Sequence, residues 1–315
     1  ITVSLICKEF YLSKTLQMLS AFFVCSMPIA ILQSSSTQND LVLSTFILLF
    51  YYYQLSGINS DSNLNIFLSG LALGLGVLTK GTAYVFLFSI GIVYLTYQIL
   101  HTNSLPKRII IFKSVTIVFI GLIINVPHYL RTYFKYGDFL GLNINQIHAN
   151  ETFSLFTVFS NLVRHLAYQL GSNFELLNWY LYRIVQIFLG DNISDPKTSF
   201  LDRDFRPPFF SLHEDAAGNF IHTIIITFLM LYGIFILKKL KKVQITSIWI
   251  SSMSIFLYCL LFKWQPYTGK ILSLLIITIP FIFVVINQLF KKRLSQKIIY
   301  IFFFLTFMGT FPYLF

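Results

Sequence analysis

Charge is scarce in this 315-residue sequence: Asp, Glu, Lys and Arg make up 11% of it, against 56% hydrophobic residues and a mean hydropathy of +0.72. A soluble domain carries about a quarter charged residues, so the composition excludes one and fits a chain dissolved in a bilayer. Cysteine is nearly absent. Cys7, Cys25 and Cys259 lie in or beside apolar runs without metal-ligand spacing and read as packing residues. Acidic residues are few, 12 against 23 Lys and Arg. The basic excess does not imply a nucleic-acid partner. Its densest clusters, Lys238-Lys239-Leu240-Lys241-Lys242 and Lys291-Lys292-Arg293, abut apolar runs and read as orientation determinants beside anionic membrane lipid. No clear internal repeat supports a transporter built of inverted halves.

What the sequence does have is apolar length. A helix needs about 20 apolar residues to cross a bilayer. Uncharged or nearly uncharged runs of about that size fall at 15–32, 40–55, 65–79, 83–100, 109–126, 220–237, 245–262, 270–289 and 298–315. The fold class expected is an all-α, polytopic membrane protein with about nine transmembrane helices. Threading these spans puts Lys8, Lys14, Lys107, Arg108, Lys113, Lys238, Lys239, Lys241, Lys242, Lys291, Lys292, Arg293 and Lys297 on one side. Among short loops the other side has only Lys80, Lys263 and Lys270. By the positive-inside rule the first side is cytoplasmic. Only Glu9 and Asp61 of the acidic residues join it, so the polar chemistry faces outward. Three parts follow: truncated-looking N-terminal spans (1–126), an outward segment (127–219) and C-terminal spans (220–315). The start at Ile1 and the stop at Phe315 both read as cuts in a longer protein.

The outward segment is too long for a connector. Phe156, Phe159, Val163, Leu166 and Leu170 recur at helical spacing, and Phe174, Leu177, Leu181, Ile184 and Phe188 repeat the pattern after Gly171-Ser172. Each stripe predicts an amphipathic helix. Arg164, His165, Glu175 and Arg183 on the other faces favour helices lying in the interface over a spanning hairpin. From Gly190 to Asn219 the composition turns polar and Pro-rich, an ordered loop or short lid.

Four outward constellations can carry chemistry. Ser34-Ser35-Ser36-Thr37-Gln38-Asn39-Asp40 leads into a span, where the carboxylate is either a helix cap or a group facing a cavity. Lys80 stands in the tight turn Thr79-Lys80-Gly81-Thr82, either snorkelling or contacting an anion. His213-Glu214-Asp215 precedes the span at 220. It reads as a cap with solvated charge, or as one or two ligands of a divalent metal cation shared with Asp40 or an upstream carboxylate. Lys263-Trp264-Gln265-Pro266-Tyr267-Thr268-Gly269-Lys270 reads as an interfacial anchor or as a site for a lipid-linked phosphate.

The order of these segments resembles the GT-C superfamily of integral-membrane glycosyltransferases, of the protein-mannosyltransferase and aminoarabinose-transferase type (glycosyltransferase family 39-like). The carriers are Asn39-Asp40, then Gly70-Leu71-Ala72-Leu73-Gly74-Leu75-Gly76 running into Leu78-Thr79-Lys80-Gly81-Thr82, and Pro127-His128-Tyr129-Leu130-Arg131 with Tyr136-Gly137-Asp138. His213 to Asn219 and Lys263-Trp264-Gln265-Pro266 complete the series. The resemblance implies transfer of a sugar from a polyprenyl-phosphate donor to a glycan, lipid or protein acceptor, with inversion, at the outer face of a bacterial plasma membrane. It implies Lys80, Lys263 and Lys270 near the phosphate, with Arg131 beside them, and Asn39, Asp40 and His213-Glu214-Asp215 positioning acceptor or metal. The family's catalytic base, an acidic residue in the first outward loop, is expected upstream of Ile1, with Asp40 as a contributor at most. Where relatives place an arginine after Lys-Trp-Gln-Pro, this chain has Lys270, which lacks the bidentate fork. A transporter, flippase or non-catalytic subunit is the competing expectation. A conduit calls for ionisable residues inside spans, and here only Lys113 lies inside one, near its cytoplasmic end.

Overall fold

The structure, a computed structural model, describes residues 1–58, 62–102, 105–141, 146–290 and 296–314. Asp61 and the Lys291-Lys292-Arg293 cluster, both counted in the charge tally, lie outside the described residues. Helices α1 (Thr2–Glu9), α2 (Lys14–Cys25), α3 (Pro28–Ser34), α4 (Asp40–Ser56), α5 (Asn63–Thr79), α6 (Ala83–His101) and α7 (Lys107–Tyr136) form the first part. Then come α8 (Leu155–Gln169) and α9 (Glu175–Leu189), followed by α10 (Phe220–Phe235), α11 (Lys242–Leu261), α12 (Leu272–Leu289) and α13 (Gln296–Thr310). No strand forms among the described residues, and two isolated bridges are the nearest approach to a sheet.

The apolar runs all become helical, but the expected count of nine spans is not confirmed. Among the described residues four helices are long and apolar enough to cross a membrane, or five if α2 and α3 form one broken span. Length is the reason. At about 1.5 Å per residue the 17 residues of α5 reach roughly 25 Å, less than a hydrocarbon core of about 30 Å. The run 15–32, expected as a single helix, breaks before Pro28 and bends by 68°. Pro28 has no amide proton to continue the α2 ladder but suits the first position of a new helix. In contrast α7 runs 30 residues, through Pro127, to a left-handed Gly137 at φ +72° that closes it. The helix therefore passes through the position that separated the first two parts in the sequence.

The core is built around α12, whose residues from Leu272 to Ile286 are all buried. A helix that is apolar on every face belongs in an interior. Ser44 on α4 bonds Ser273 at its start, 2.8 Å between hydroxyls. Helices α5 and α7 meet through glycines. A Cβ on Gly70 or Gly74 would strike Ile120 or Ile124 at 2.6 and 2.7 Å, and one on Gly121 would strike Leu73 at 2.2 Å. This small-xxx-small stripe lets the two backbones approach, and Asn125 Nδ2 donates to the Gly74 carbonyl at 2.9 Å.

Helices α8 and α9 form where their stripes predict, and their orientation corrects the reading of their polar faces. Phe156, Phe159, Phe174, Ile184 and Phe188 are exposed, whereas Arg164 and His165 are buried in the body of the protein. Arg164 donates to Asn161 Oδ1 and Thr198 Oγ1, both at 2.8 Å, and to Ser199 Oγ, and its guanidinium lies over the Trp264 ring. Burial and this cation hold the His165 imidazole down at about 3, so it is neutral. On α8 the apolar stripe is thus free to contact lipid while the polar face clamps the fold; on α9 Glu175 and Arg183 are exposed, and Arg183 bonds Gln186 of its own helix.

The connections sort to two ends. Tyr11, Phe10, His101, Lys107 and the Lys238–Lys242 segment share one end, where Gln244 Nε2 donates to the Phe10 carbonyl at 3.0 Å and Lys241 lies 4.3 Å from the Tyr11 ring centroid. The turns at 35–39 and 80–82, with segments 146–151, 197–200, 213–219 and 262–271, share the other.

Candidate active site

The second end is organised by local structure. Segment Phe262–Gln265 leaves α11 extended and is pinned on both sides. Lys263 N–H donates to the His148 carbonyl at 2.9 Å and Trp264 N–H to that of Thr198 at 2.8 Å, while the Trp264 carbonyl accepts from Phe200 N–H at 2.9 Å. The carbonyls ending α11 have no helical partners and are capped by two asparagines. Asn150 Nδ2 donates to Cys259, Leu260 and Phe262, and Asn161 Nδ2 to Cys259 and Phe262, at 2.8–3.1 Å. This frame fixes both His148 and the stretch leading to Lys270.

At its centre Asp40 and Lys80 form a salt bridge through Oδ1. Asp40 is 2% exposed and Lys80 17%, so the carboxylate lies inside and the ammonium towards the opening. Asp40 Oδ2 is buried with no hydrogen-bond partner among the described residues. Asn39 Nδ2 donates to the Thr79 carbonyl at 3.1 Å, tying the start of α4 to the Lys80 turn. Burial lowers the Lys80 ammonium below the usual lysine range, the Asp40 charge opposes this, and Lys270 adds to it by repulsion. Burial, then Lys270 and Lys80, hold the His148 imidazole below its usual range and so towards its neutral form. His148 stacks on Phe200 with ring centroids 4.8 Å apart and pairs its Nδ1 with Gln265 Nε2 at 3.2 Å. Two cations, one buried carboxylate and a neutral imidazole thus converge, with positive charge in excess.

A second wall comes from α3 and the 213–219 segment. Gln38 Nε2 donates to Asp215 Oδ2 at 3.0 Å and Gln33 Nε2 to the Glu214 carbonyl at 3.3 Å. Gly269 fits into this contact, since a Cβ there would lie 2.5 Å from Gln33 Nε2 and 3.1 Å from Asp215 Oδ1. His213-Glu214-Asp215 does not converge: His213 points outward, 3.7 Å from Glu214, and Asp215 turns in to Gln38. No group of three His, Cys, Asp or Glu able to hold a metal forms among the described residues.

Of the residues singled out in the sequence, the structure brings together Asn39, Asp40, Lys80 and Lys270, with Asp215 at the edge. It separates two. Lys263 is turned away from them, its Nζ on Glu151 Oε1 at 2.6 Å and on the Pro196 carbonyl at 2.9 Å. Arg131 is exposed on α7, 3.4 Å from His128 Nδ1. Sequence reasoning missed His148, Gln33, Gln38 and Gln265. Gln38 and Gln265 stand inside segments that were marked for other residues, whereas His148 and Gln33 belong to none.

Beside this set an apolar groove of about 370 Å³ runs along α4, α5, α6 and α7. Its upper lining, Val77 and Tyr84, starts three and four residues from Lys80, and the Tyr84 and Tyr129 hydroxyls close it at 2.7 Å.

Residues 3–129 match the family model described as dolichyl-phosphate-mannose-protein mannosyltransferase. The match spans α1 through most of α7 and includes Asn39, Asp40, Lys80 and the groove. It bears out the resemblance to GT-C, glycosyltransferase-family-39-like proteins and supports a membrane glycosyltransferase. His148, Lys263, Lys270 and the 213–219 segment lie beyond it. No curated protein and no solved structure matches the chain.

Proposed function

We propose that this protein transfers a sugar from a polyprenyl phosphate to an acceptor hydroxyl at the end of the molecule that carries Asp40 and Lys80, the end facing out of the cell. The observation that carries the reading is the pairing of Lys80 and Lys270, excess positive charge beside an apolar groove. A lipid phosphate needs a cationic seat and a dry channel next to each other, and these supply both. In the reaction the acceptor oxygen attacks the anomeric carbon and the bond from that carbon to the phosphate oxygen breaks. The electron pair leaves on the phosphate. Lys80 and Lys270 stabilise that developing charge, which in a partly enclosed site is the largest catalytic contribution a side chain makes. The acceptor's proton passes to the released phosphate dianion, so the products are the glycosylated acceptor and polyprenyl phosphate; Asp40, enclosed and paired with Lys80, is a positioning residue and not the group that takes that proton.

The transporter reading is disfavoured by burial. Among the described residues the buried Asp, Glu, Lys and Arg side chains are Asp40, Arg164 and Lys263, and none lies within a candidate span. The test is to incubate the full-length protein in vesicles with a radiolabelled polyprenyl-phosphate sugar and extracted envelope acceptors. Label moving from lipid to acceptor, with release of polyprenyl phosphate, is expected. Label crossing the bilayer still attached to its lipid would overturn the proposal in favour of a flippase.

A further inference from the structure

At the end opposite the candidate active site a second groove, of about 390 Å³, lies between α6 and α11. Val93, Thr96, Tyr97 and Leu100 on α6 face Ile245, Trp249 and Met253 on α11, each set at steps of three to four residues. Trp249 is 62% exposed although it stands two turns inside an apolar helix, so the groove opens sideways, where hydrocarbon is the solvent. Its lower rim is basic. Lys242 and His101 line it, Lys238 and Lys239 precede Lys242, and no acidic side chain belongs to the lining. Lys241 is engaged with the Tyr11 ring, whereas Lys242 is exposed and has no acidic partner among the described residues.

We infer that this groove is a binding site for an anionic glycerophospholipid, its phosphate between Lys242 and His101 and one acyl chain along the α6–α11 seam. Charge decides the headgroup, because a basic rim over an apolar trough rewards a negative phosphate and gives a zwitterion no net advantage. The site is separate from the sugar-transfer reading: of the residues lining the two grooves only Ile92 is common to both, and Lys242 and His101 take no part in that reading.

The test uses the intrinsic tryptophans. In the full-length protein carrying Trp179→Phe, Trp249 is the lipid-facing reporter and the fully buried Trp264 supplies a constant background. The protein is placed in phosphatidylcholine vesicles containing equal fractions of mid-chain-brominated phosphatidylglycerol or mid-chain-brominated phosphatidylcholine. Quenching of Trp249 should show a preference of about fivefold for the anionic lipid, lost in Lys242→Gln and kept in Lys242→Arg. Equal quenching by the two lipids, or a preference that survives Lys242→Gln together with His101→Gln, would reduce the groove to ordinary lipid contact and overturn the proposal. No quenching by either lipid would mean protein covers the seam, which overturns it as well.

Discussion

Two lysine–carboxylate pairs sit at one end of this molecule and are built in opposite senses. In the pair Lys80–Asp40 the carboxylate is 2% exposed and the lysine faces the opening, with Lys270 adding a second positive charge. In the pair Lys263–Glu151 the lysine is inside, 8% exposed, and the glutamate is 60% exposed. The first leaves cationic charge available to a ligand. The second spends its lysine on the Pro196 carbonyl and on Glu151, tying Phe262–Gln265 to its neighbours. A lysine that breaks the positive-inside pattern therefore marks an exception worth explaining, but its role depends on which partner faces out.

The largest effect is expected at the first pair. Asp40→Ala strands the Lys80 ammonium, mostly buried and beside Lys270, and should cost about 3 kcal/mol, the low end for breaking a buried pair because Lys80 retains some solvent. Lys80→Met should reduce sugar transfer at least about a hundredfold through loss of phosphate stabilisation. Combining Lys80→Met with Asp40→Asn removes the charge imbalance, so it should recover thermal stability without recovering transfer. Melting curves alongside donor turnover separate the two. If the double variant regained activity, Lys80 would be a structural lysine like Lys263 and the contrast would collapse.

Lys270 sharpens the comparison with a smaller effect. Lys270→Met should raise the KM for the lipid-linked donor about tenfold while leaving the fold intact. It also changes pH dependence. Burial and Lys270 both push the Lys80 ammonium down, so Lys80 loses its proton, and transfer declines, at a lower pH than for a free lysine. Removing Lys270 should move the alkaline limb of the activity profile to higher pH. An unmoved limb would show that the two lysines do not share one site.

The division between these pairs was only half legible in the sequence. Apolar length located the helices, but α7 and the span Gly269–Leu289 that contains α12, similarly apolar, differ completely in surroundings: over 18 apolar residues of each, 17% are buried in the first and 94% in the second. Hydropathy reports that a segment prefers not to meet water; it does not distinguish lipid from protein as the alternative. Asp40 and Lys80 were legible because each stands at a helix boundary with little other charge nearby. Lys263 was legible as an anomaly and illegible as a role, since Glu151 is 112 residues away and is brought to it by the contacts of His148, Ala149 and Asn150 with the end of α11 and the segment after it. Arg164 misled for a related reason. Its helix has an apolar stripe and a polar face, and for a helix at a bilayer the stripe faces outward, the reverse of the soluble rule. His148 gave no signal because a lone histidine in a loop gains meaning only from Phe200, Gln265 and the two lysines around it.

The second pair gives the smallest effect and the clearest sign. Lys263→Met should leave transfer per folded molecule within about twofold of wild type and should lower stability by about 1 kcal/mol through the lost bond to the Pro196 carbonyl. The pair also titrates. The Lys263 hydrogen bond and charge, with a smaller push from Lys197, hold the Glu151 carboxyl below its usual range. A carboxylate with a lowered folded pKa contributes stability that is complete above its unfolded value, near 4.5, and fades as pH falls through the folded one. Because Glu151 is exposed, solvent screening keeps the contribution small. The melting temperature should thus show a shallow extra decline on acidification below about pH 4.5 that Glu151→Gln and Lys263→Met each abolish. Transfer activity at neutral pH should not follow it. A Glu151→Gln variant that lost transfer at neutral pH while keeping its melting temperature would place this pair in the chemistry after all, and the opposite orientation of the two pairs would no longer separate their roles.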